Sequence, residues 1–477
     1  MKVLSVAAEI FPLIKTGGLA DVAGALPAAL AAAGVEMVSF VPGYPAVLAA
    51  LKEPQELHYF ANLGGGPAHL RRGKAKGLDI IALDAPHLFN RPGNPYLGPD
   101  GKDWPDNARR FACFSEVAAG IARGVFGSLK FDLLQAHDWQ AALACTYLRY
   151  YGGPKTLLTI HNIAFQGVFA PEIFATLNLP PHAYAVDGVE YYGNVSFLKG
   201  GVASATALST VSPTYAQEIC TANYGMGLEG LLQQRKKNLH GIVNGIDDTI
   251  WNPETDQALK QTYSAKTLDK RTGNKREVER RFGLKEGNGI IHGIVSRLTW
   301  QKGLDIFASL IDDVVASGAR VAVLGTGELG IETSFRAAAA RYSGLVGLVT
   351  TYDEQLSHLI QGGADTMLVP SRFEPCGLTQ LYGLRYGCVP VVARVGGLAD
   401  TVIDANDAAL AAGVATGVQF VPVDGLTLSG ALARSQRLYS QPKLWQALQT
   451  RGMAADVSWK RSASAYAELF QSILAGH

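Results

Sequence analysis

The chain has 477 residues, 48% of them hydrophobic and 17% charged; single cores run to ~100 to 200 residues before splitting, so two domains are expected and disordered or fibrous classes are excluded. Forty-two basic against forty-one acidic residues leave a net charge of +1, so no global field is available for nucleic acid or an anionic membrane, and any phosphate must be bound locally. The five cysteines are odd in number, widely spaced and contain no Cys-x-x-Cys pair, which argues against a disulfide framework or structural zinc and fits a reducing cytoplasm.

In chain order, residues 3–8 read as a first strand. Glu9 follows at once and no apolar leader pattern precedes it, so no signal peptide is expected. The uncharged stretch 22–35 falls short of the ~20 apolar residues a bilayer span needs. The strand runs into Lys15-Thr16-Gly17-Gly18-Leu19-Ala20-Asp21 and an Ala-rich helix, in which Pro27 removes the bond to Ala23. Paired glycines at a helix start let a phosphate approach backbone N–H groups, and Lys15 supplies a matching charge. The same turn also serves as plain structure, and it is not a Walker A loop.

Further apolar runs at 37–41, 80–83, 133–136, 156–160 and 207–211 alternate with Ala-rich or amphipathic stretches, the pattern of a parallel βαβ sheet. Ligands of such sheets bind beyond the carboxyl ends of the strands. Two of these ends carry polar groups suited to pyranose recognition, Ala136-His137-Asp138-Trp139-Gln140 and Thr159-Ile160-His161-Asn162, with Trp139 offering an aromatic face. The segment Gly241-Ile242-Val243-Asn244-Gly245 and the Lys/Arg-rich stretch 252–289, which has no clear strand, read as the hinge region.

A second series of strands follows at 290–295, 320–324, 346–350, 366–369, 389–392 and 417–420. The first ends in Ser296-Arg297-Leu298-Thr299-Trp300-Gln301-Lys302-Gly303, a pair of cations suited to a diphosphate, since Arg forks two oxygens and Lys acts as a point charge. A solvated basic turn is the plainer alternative. Gly325-Thr326-Gly327-Glu328-Leu329-Gly330 nearly meets the dinucleotide fingerprint, but on a middle strand, which weakens the nicotinamide reading. The strand 366–369 ends in Pro370-Ser371-Arg372-Phe373-Glu374-Pro375-Cys376-Gly377-Leu378-Thr379-Gln380. Here the N–H groups of Gly377, Leu378 and Thr379 could meet an anion and Glu374 could hold sugar hydroxyls; a capping Glu is the plain alternative. The strand 389–392 leads to Gly396-Gly397-Leu398-Ala399-Asp400, the same five residues as Gly17 to Asp21, whose role stays open. Residues 459–474 show helical apolar spacing and read as a final helix. No Asp-x-Asp, nucleophile elbow or zinc helix is present.

Taken together, Lys15 to Val22, His137-Asp138-Trp139, His161-Asn162, Asn244-Gly245-Ile246-Asp247, Arg297 to Gly303 and Arg372 to Leu378 resemble bacterial glycogen synthases and the related starch synthases of plants, in order along essentially the whole chain. The resemblance implies two Rossmann-like α/β domains of doubly wound parallel sheet facing across a cleft, the glycosyltransferase B type. It divides the chain into residues 1–245 on the glucan acceptor side, 246–456 on the nucleotide-sugar donor side, and a C-terminal helix, 457–477, packing back on the first domain.

The implied activity is transfer of glucose from ADP-glucose to the non-reducing end of an α-1,4-glucan with retention, in the cytoplasm, with no metal, no cofactor, no nucleic acid and no membrane partner. A UDP-glucose donor, a nicotinamide dehydrogenase and a non-catalytic glucan-binding protein are the alternatives. By the same resemblance, Lys15, Gly18 and Asp21 meet the donor, Arg297 and Lys302 hold the leaving diphosphate, and Glu374 with Cys376, Gly377, Leu378 and Thr379 engages the glucosyl unit or phosphate. Asp138, His161 and Asn244 surround the sugar, and Tyr352 neighbours the adenine. Many related retaining transferases carry a second Glu eight residues after the first; here that position is Tyr382, which offers no carboxylate to a ribose at this point.

Overall fold

The computed structural model describes residues 1–127, 129–351 and 353–476. Tyr352 therefore lies outside the described residues. The chain divides into two compact units, Met1–Asn244 together with the terminal segment from Trp459, and Gly245–Ser458.

The first unit is built on a nine-stranded sheet. Its spatial order is Leu239–Gly241, Ala207–Thr210, Lys155–Ile160, Leu133–His137, Lys2–Val6, Glu36–Pro42, Leu78–Asp84, Gly66–Ala75, Lys52–Leu63. The first seven strands are parallel and the last two are added antiparallel. The central strands are apolar runs buried along nearly their whole length, as covered parallel strands must be. From Lys2–Val6 the chain first builds outward through Glu36–Pro42, then returns to build the other way from Leu133–His137. The topological switch thus falls between Lys2–Val6 and Leu133–His137, the place at which open parallel sheets bind ligands. The antiparallel edge pair escaped the sequence reading because Lys52–Leu63 is largely exposed and polar, without an apolar run to mark it.

The second unit carries a six-stranded, wholly parallel sheet. In space it runs Val346–Val349, Arg320–Leu324, Ile291–Val295, Thr366–Val369, Val389–Ala393, Val418–Phe420, the Rossmann order with its switch between Ile291–Val295 and Thr366–Val369.

The hinge reading of 252–289 does not hold. Its helix Arg271–Phe282 places Val278 and Phe282 in the core of the second unit. Two of its basic residues serve buried polar groups: Arg271 donates to the carbonyls of Ala364 and Tyr386, and Lys275 Nζ meets Asp365 at 2.7 Å and the Tyr439 hydroxyl at 2.8 Å. A run of cations reads as solvated from composition, whereas partners far along the chain bury these two.

The terminal helix Trp459–Ala475 belongs to the first unit. Tyr466, Phe470 and Ile473 share a core with Val22, Leu26 and Leu30 of the helix Gly18–Ala31. Ser462 donates to the carbonyl of Val243 at 2.6 Å and Lys155 to that of Ile473 at 2.8 Å.

Candidate active site

In the first unit, polar groups gather where Lys2–Val6 and Leu133–His137 end. Glu9 is 2% exposed, and a buried carboxylate needs donors. It receives the Thr16 hydroxyl at 2.6 Å, the Gly17 N–H at 3.3 Å, the Thr16 N–H and the Tyr96 phenol. Glu9 therefore ties down the loop ahead of the helix Gly18–Ala31, whose N-terminus has no side-chain cap. On the same loop Lys15 pairs with Asp21 at 2.7 Å. Sequence reasoning missed Glu9; the available signal was a carboxylate at the end of an apolar strand.

Asp138 opens the helix Asp138–Tyr151 with a left-handed backbone, φ 56°, a conformation Asp tolerates better than most residues. Its Oδ1 accepts the backbone N–H groups of His161 at 2.6 Å and Asn162 at 3.4 Å, which joins two neighbouring strand ends. Burial pushes the Asp138 carboxyl up to about 7, the two N–H groups oppose the rise, and the charge of Glu9 adds to it. His161 Nε2 lies 2.9 Å from His137 Nδ1, and His137 Nε2 lies 3.2 Å from Ser5 Oγ. Burial lowers His137 to about 3 and His161 well below the ordinary imidazole value, so both rings are neutral.

Trp139 is a correction. Its ring packs among Phe111, Phe169 and Phe197, inside the core, so it does not offer the aromatic sugar platform read from the sequence. Asn244, which ends the first segment of its unit, is buried, and its Oδ1 has no hydrogen-bond partner among the described residues.

In the second unit the switch point holds a cavity of about 50 Å³ lined by Ser296, Lys302, Ser371, Glu374, Gly377 and Thr379, among others. Lys302 Nζ and Glu374 Oε2 meet at 2.6 Å, and the Ser371 hydroxyl donates to the same oxygen at 2.8 Å. Gly377, with φ 74°, turns the chain into the helix Thr379–Tyr386, whose N-terminus again has no side-chain cap. Cys376 is buried and Leu378 and Thr379 are half-buried. Uncapped N–H groups beside a lysine suit an anion, and a carboxylate suits hydroxyls. Two arginines of the motifs separate cleanly. Arg372 forks Asp305 at 2.6 and 2.7 Å and lies over the Trp300 ring, whereas Arg297 is exposed and has no ion-pair partner among the described residues.

Two of the glycine motifs noted in the sequence act as backbone supports. A Cβ on Gly396 would stand 1.9 Å from the Glu374 carbonyl oxygen, and one on Gly397 2.2 Å from that of Cys376; the Gly397 N–H bonds the Glu374 and Pro375 carbonyls, both at 3.1 Å. The second Gly-Gly-Leu-Ala-Asp therefore buttresses the Glu374 turn. Likewise, Cβ atoms on Gly325 and Gly327 would stand 1.9 Å from the Ser296 carbonyl oxygen and 2.3 Å from that of Leu298. These glycines admit the loop bearing Arg297, which accounts for the near-fingerprint without a nicotinamide.

Residues 2–234 match the family described as starch synthase catalytic domain, and residues 275–417 the glycosyl transferases group 1. The glycogen synthase of Mesorhizobium japonicum is 55% identical over 476 residues, covering 99% of each chain. The chain belongs to the glycogen synthase family. A second member, from Novosphingobium aromaticivorans, is 54% identical over 480 residues, 100% of this chain and 99% of that one. The catalytic domain of starch synthase IV from Arabidopsis thaliana, solved bound to ADP and acarbose, matches with a TM-score of 0.89 at 30% identity over 99% of both chains. A sucrose-phosphate synthase from Thermosynechococcus elongatus shares the fold, with a TM-score of 0.62 at 16% identity over 100% of both chains.

As a member of the glycogen synthase family, the chain is a hexosyltransferase of the glycosyltransferase B fold, with Rossmann-like α/β units. At Tyr382, where the wider pattern has a second Glu, this glycogen synthase family member places a ring stacked on Trp251 at 3.6 Å, with His358 on the other face of Trp251 at 3.7 Å. That position holds the site helix to the segment preceding Arg271–Phe282 rather than supplying a carboxylate.

Proposed function

We propose that the chain transfers glucose from ADP-glucose to the non-reducing end of an α-1,4-glucan with retention of configuration, releasing ADP, in the cytoplasm, with no metal or cofactor. The observation that carries this reading is the Lys302–Glu374 pair at 2.6 Å beside the uncapped helix N-terminus at the second unit's switch point. A diphosphate and a sugar need such neighbours: cations and N–H groups for the one, a carboxylate for the other. Family membership and the ADP carried by the Arabidopsis neighbour favour ADP-glucose over UDP-glucose. Among the described residues no helix is long and apolar enough to cross a membrane.

In this reading residues 246–456 hold the donor, 1–245 the acceptor, and the final helix completes the first unit. Arg297 and Lys302 stabilise the negative charge that grows on the leaving diphosphate, a task that fixed cations perform without reorganisation. When the diphosphate takes Lys302, Glu374 is freed to accept sugar hydroxyls. The N–H groups from Cys376 to Thr379 meet phosphate or sugar oxygens, Tyr352 neighbours the adenine, and Lys15, Gly18 and Asp21 form the second phosphate-facing turn. Asp138, His161 and Asn244 bind the glucosyl unit.

The deciding experiment incubates the protein with glycogen and either ADP-glucose or UDP-glucose, following nucleotide release and chain growth. Elongation with ADP-glucose is expected. Elongation only with UDP-glucose corrects the donor, nucleotide release without chain growth removes the glucan, and polysaccharide retention with neither identifies a binding protein.

A further inference from the structure

Behind His161 lies a buried chain of polar groups that the reaction as described does not use. Ser5 Oγ sits 3.2 Å from His137 Nε2, and His137 Nδ1 sits 2.9 Å from His161 Nε2. Ser5 and His137 are 1% and 0% exposed. Both of the ring nitrogens of His137 are thus committed to side chains, one of them on a strand end of the candidate site.

Two neutral imidazoles facing each other share one proton between the facing nitrogens, so only two arrangements exist. In the first, the Ser5 hydroxyl donates to His137 Nε2, His137 Nδ1–H donates to His161 Nε2, and His161 carries its own proton on Nδ1. In the second, every direction reverses: His161 Nε2–H donates to His137, His137 Nε2–H donates to Ser5, and His161 Nδ1 is a bare acceptor. The second leaves the Ser5 hydroxyl proton without an acceptor, because Ser5 Oγ has no other partner among the described residues. An unpaired buried donor is costly, and the first arrangement has none. Burial keeps both rings uncharged, so no third, doubly protonated state relieves the choice.

We propose that Ser5 and His137 are positioning residues that lock His161 in its Nδ1–H tautomer, so that His161 meets bound substrate as a hydrogen-bond donor. This tautomer is the less favoured one of free imidazole, which is why a dedicated partner is needed to hold it. A donor at this place suits a sugar hydroxyl or phosphate oxygen, and a bare acceptor there would repel the phosphate lone pairs. The consequence for substrate rests on the glucosyl-transfer reading; the tautomer does not.

The test is a long-range proton–nitrogen spectrum of the full chain labelled with ¹⁵N-histidine at neutral pH, with the two rings assigned through His137→Asn and His161→Asn. Both rings are expected as Nδ1–H tautomers, and two Nε2–H tautomers overturn the proposal. Kinetics with ADP-glucose and glycogen complete it. His137→Phe should lower kcat at least ~10-fold, the size of one lost hydrogen bond to a charged or polar transition state. His137→Asn, which keeps an N–H near the Nδ1 position, should recover most of it. A wild-type kcat in His137→Phe, or equal losses in both variants, overturns the positioning role. Should His137→Phe not fold, the wild-type spectrum and the asparagine variant still decide. Because the spectrum needs no substrate, absence of chain growth by the wild-type protein removes the glucosyl-transfer reading alone.

Discussion

Glu374 and Lys302 form a partly buried ion pair, 2.6 Å from oxygen to nitrogen, whose carboxylate is also held by the Ser371 hydroxyl. In the proposed reaction this one contact serves both parts of the donor, Lys302 turning to the diphosphate and Glu374 to the sugar. Glu374→Gln should lower kcat at least ~100-fold, as expected for loss of one electrostatic stabiliser. Arg297→Ala should do the same while leaving the melting temperature unchanged, because its side chain is exposed and unpaired among the described residues. Initial-rate kinetics with ADP-glucose beside thermal melts check both, and a near-normal kcat removes the residue from the mechanism.

Asp138 gives a pH signature. Its folded value of about 7 lies above the ordinary 3.8, so the folded state holds this proton more tightly than the unfolded chain. The group therefore favours folding fully below 3.8, and that contribution is lost as pH rises through 7. Binding of sugar hydroxyls by the carboxylate requires the ionised form, so kcat/KM should rise across neutral pH. Asp138→Asn should abolish this limb and lower the plateau; an unchanged profile in that variant assigns the limb elsewhere.

Glu9→Gln should loosen the Thr16–Gly17 turn, because an amide cannot accept at every site the carboxylate serves. The expected result is a KM for ADP-glucose raised about tenfold, one hydrogen-bond energy in binding, with kcat changed less. Equal KM in the variant and the parent would confine Glu9 to stability.

Gly396→Ala forces a methyl against the Glu374 carbonyl at a residue already at φ 42°. Since the clash is with backbone, the Glu374 turn must move, and activity should fall by at least ~100-fold, as for loss of Glu374 itself. Gly430→Ala, where a Cβ meets nothing within 4 Å, serves as the control and should be silent.

Phe470→Ala opens a cavity beneath the helix Gly18–Ala31 and should cost about 3–5 kcal/mol of stability. Denaturant unfolding measures it. A smaller loss would mean that the terminal helix is not integral to the first core.

Most parallel strands and the terminal helix were legible in the sequence, because a strand covered on both faces must be an unbroken apolar run and a helix must repeat its apolar face every three to four residues. The motif residues at strand ends were legible for the same reason: they interrupt those runs with polar groups that have no local task. Tertiary structure alone decided which of them touch. Nothing in the sequence pairs Ser5 with His137, Lys302 with Glu374, or Gly396 with the Glu374 carbonyl, since these contacts join segments that only the sheet order makes neighbours. For the same reason Trp139 proved to be core, Arg271 and Lys275 proved to be buried, and two identical Gly-Gly-Leu-Ala-Asp segments proved to sit in different surroundings. Periodicity is a local consequence of burial and can be read from the chain; the partner of a buried polar group is a long-range choice, made only when the strands assemble.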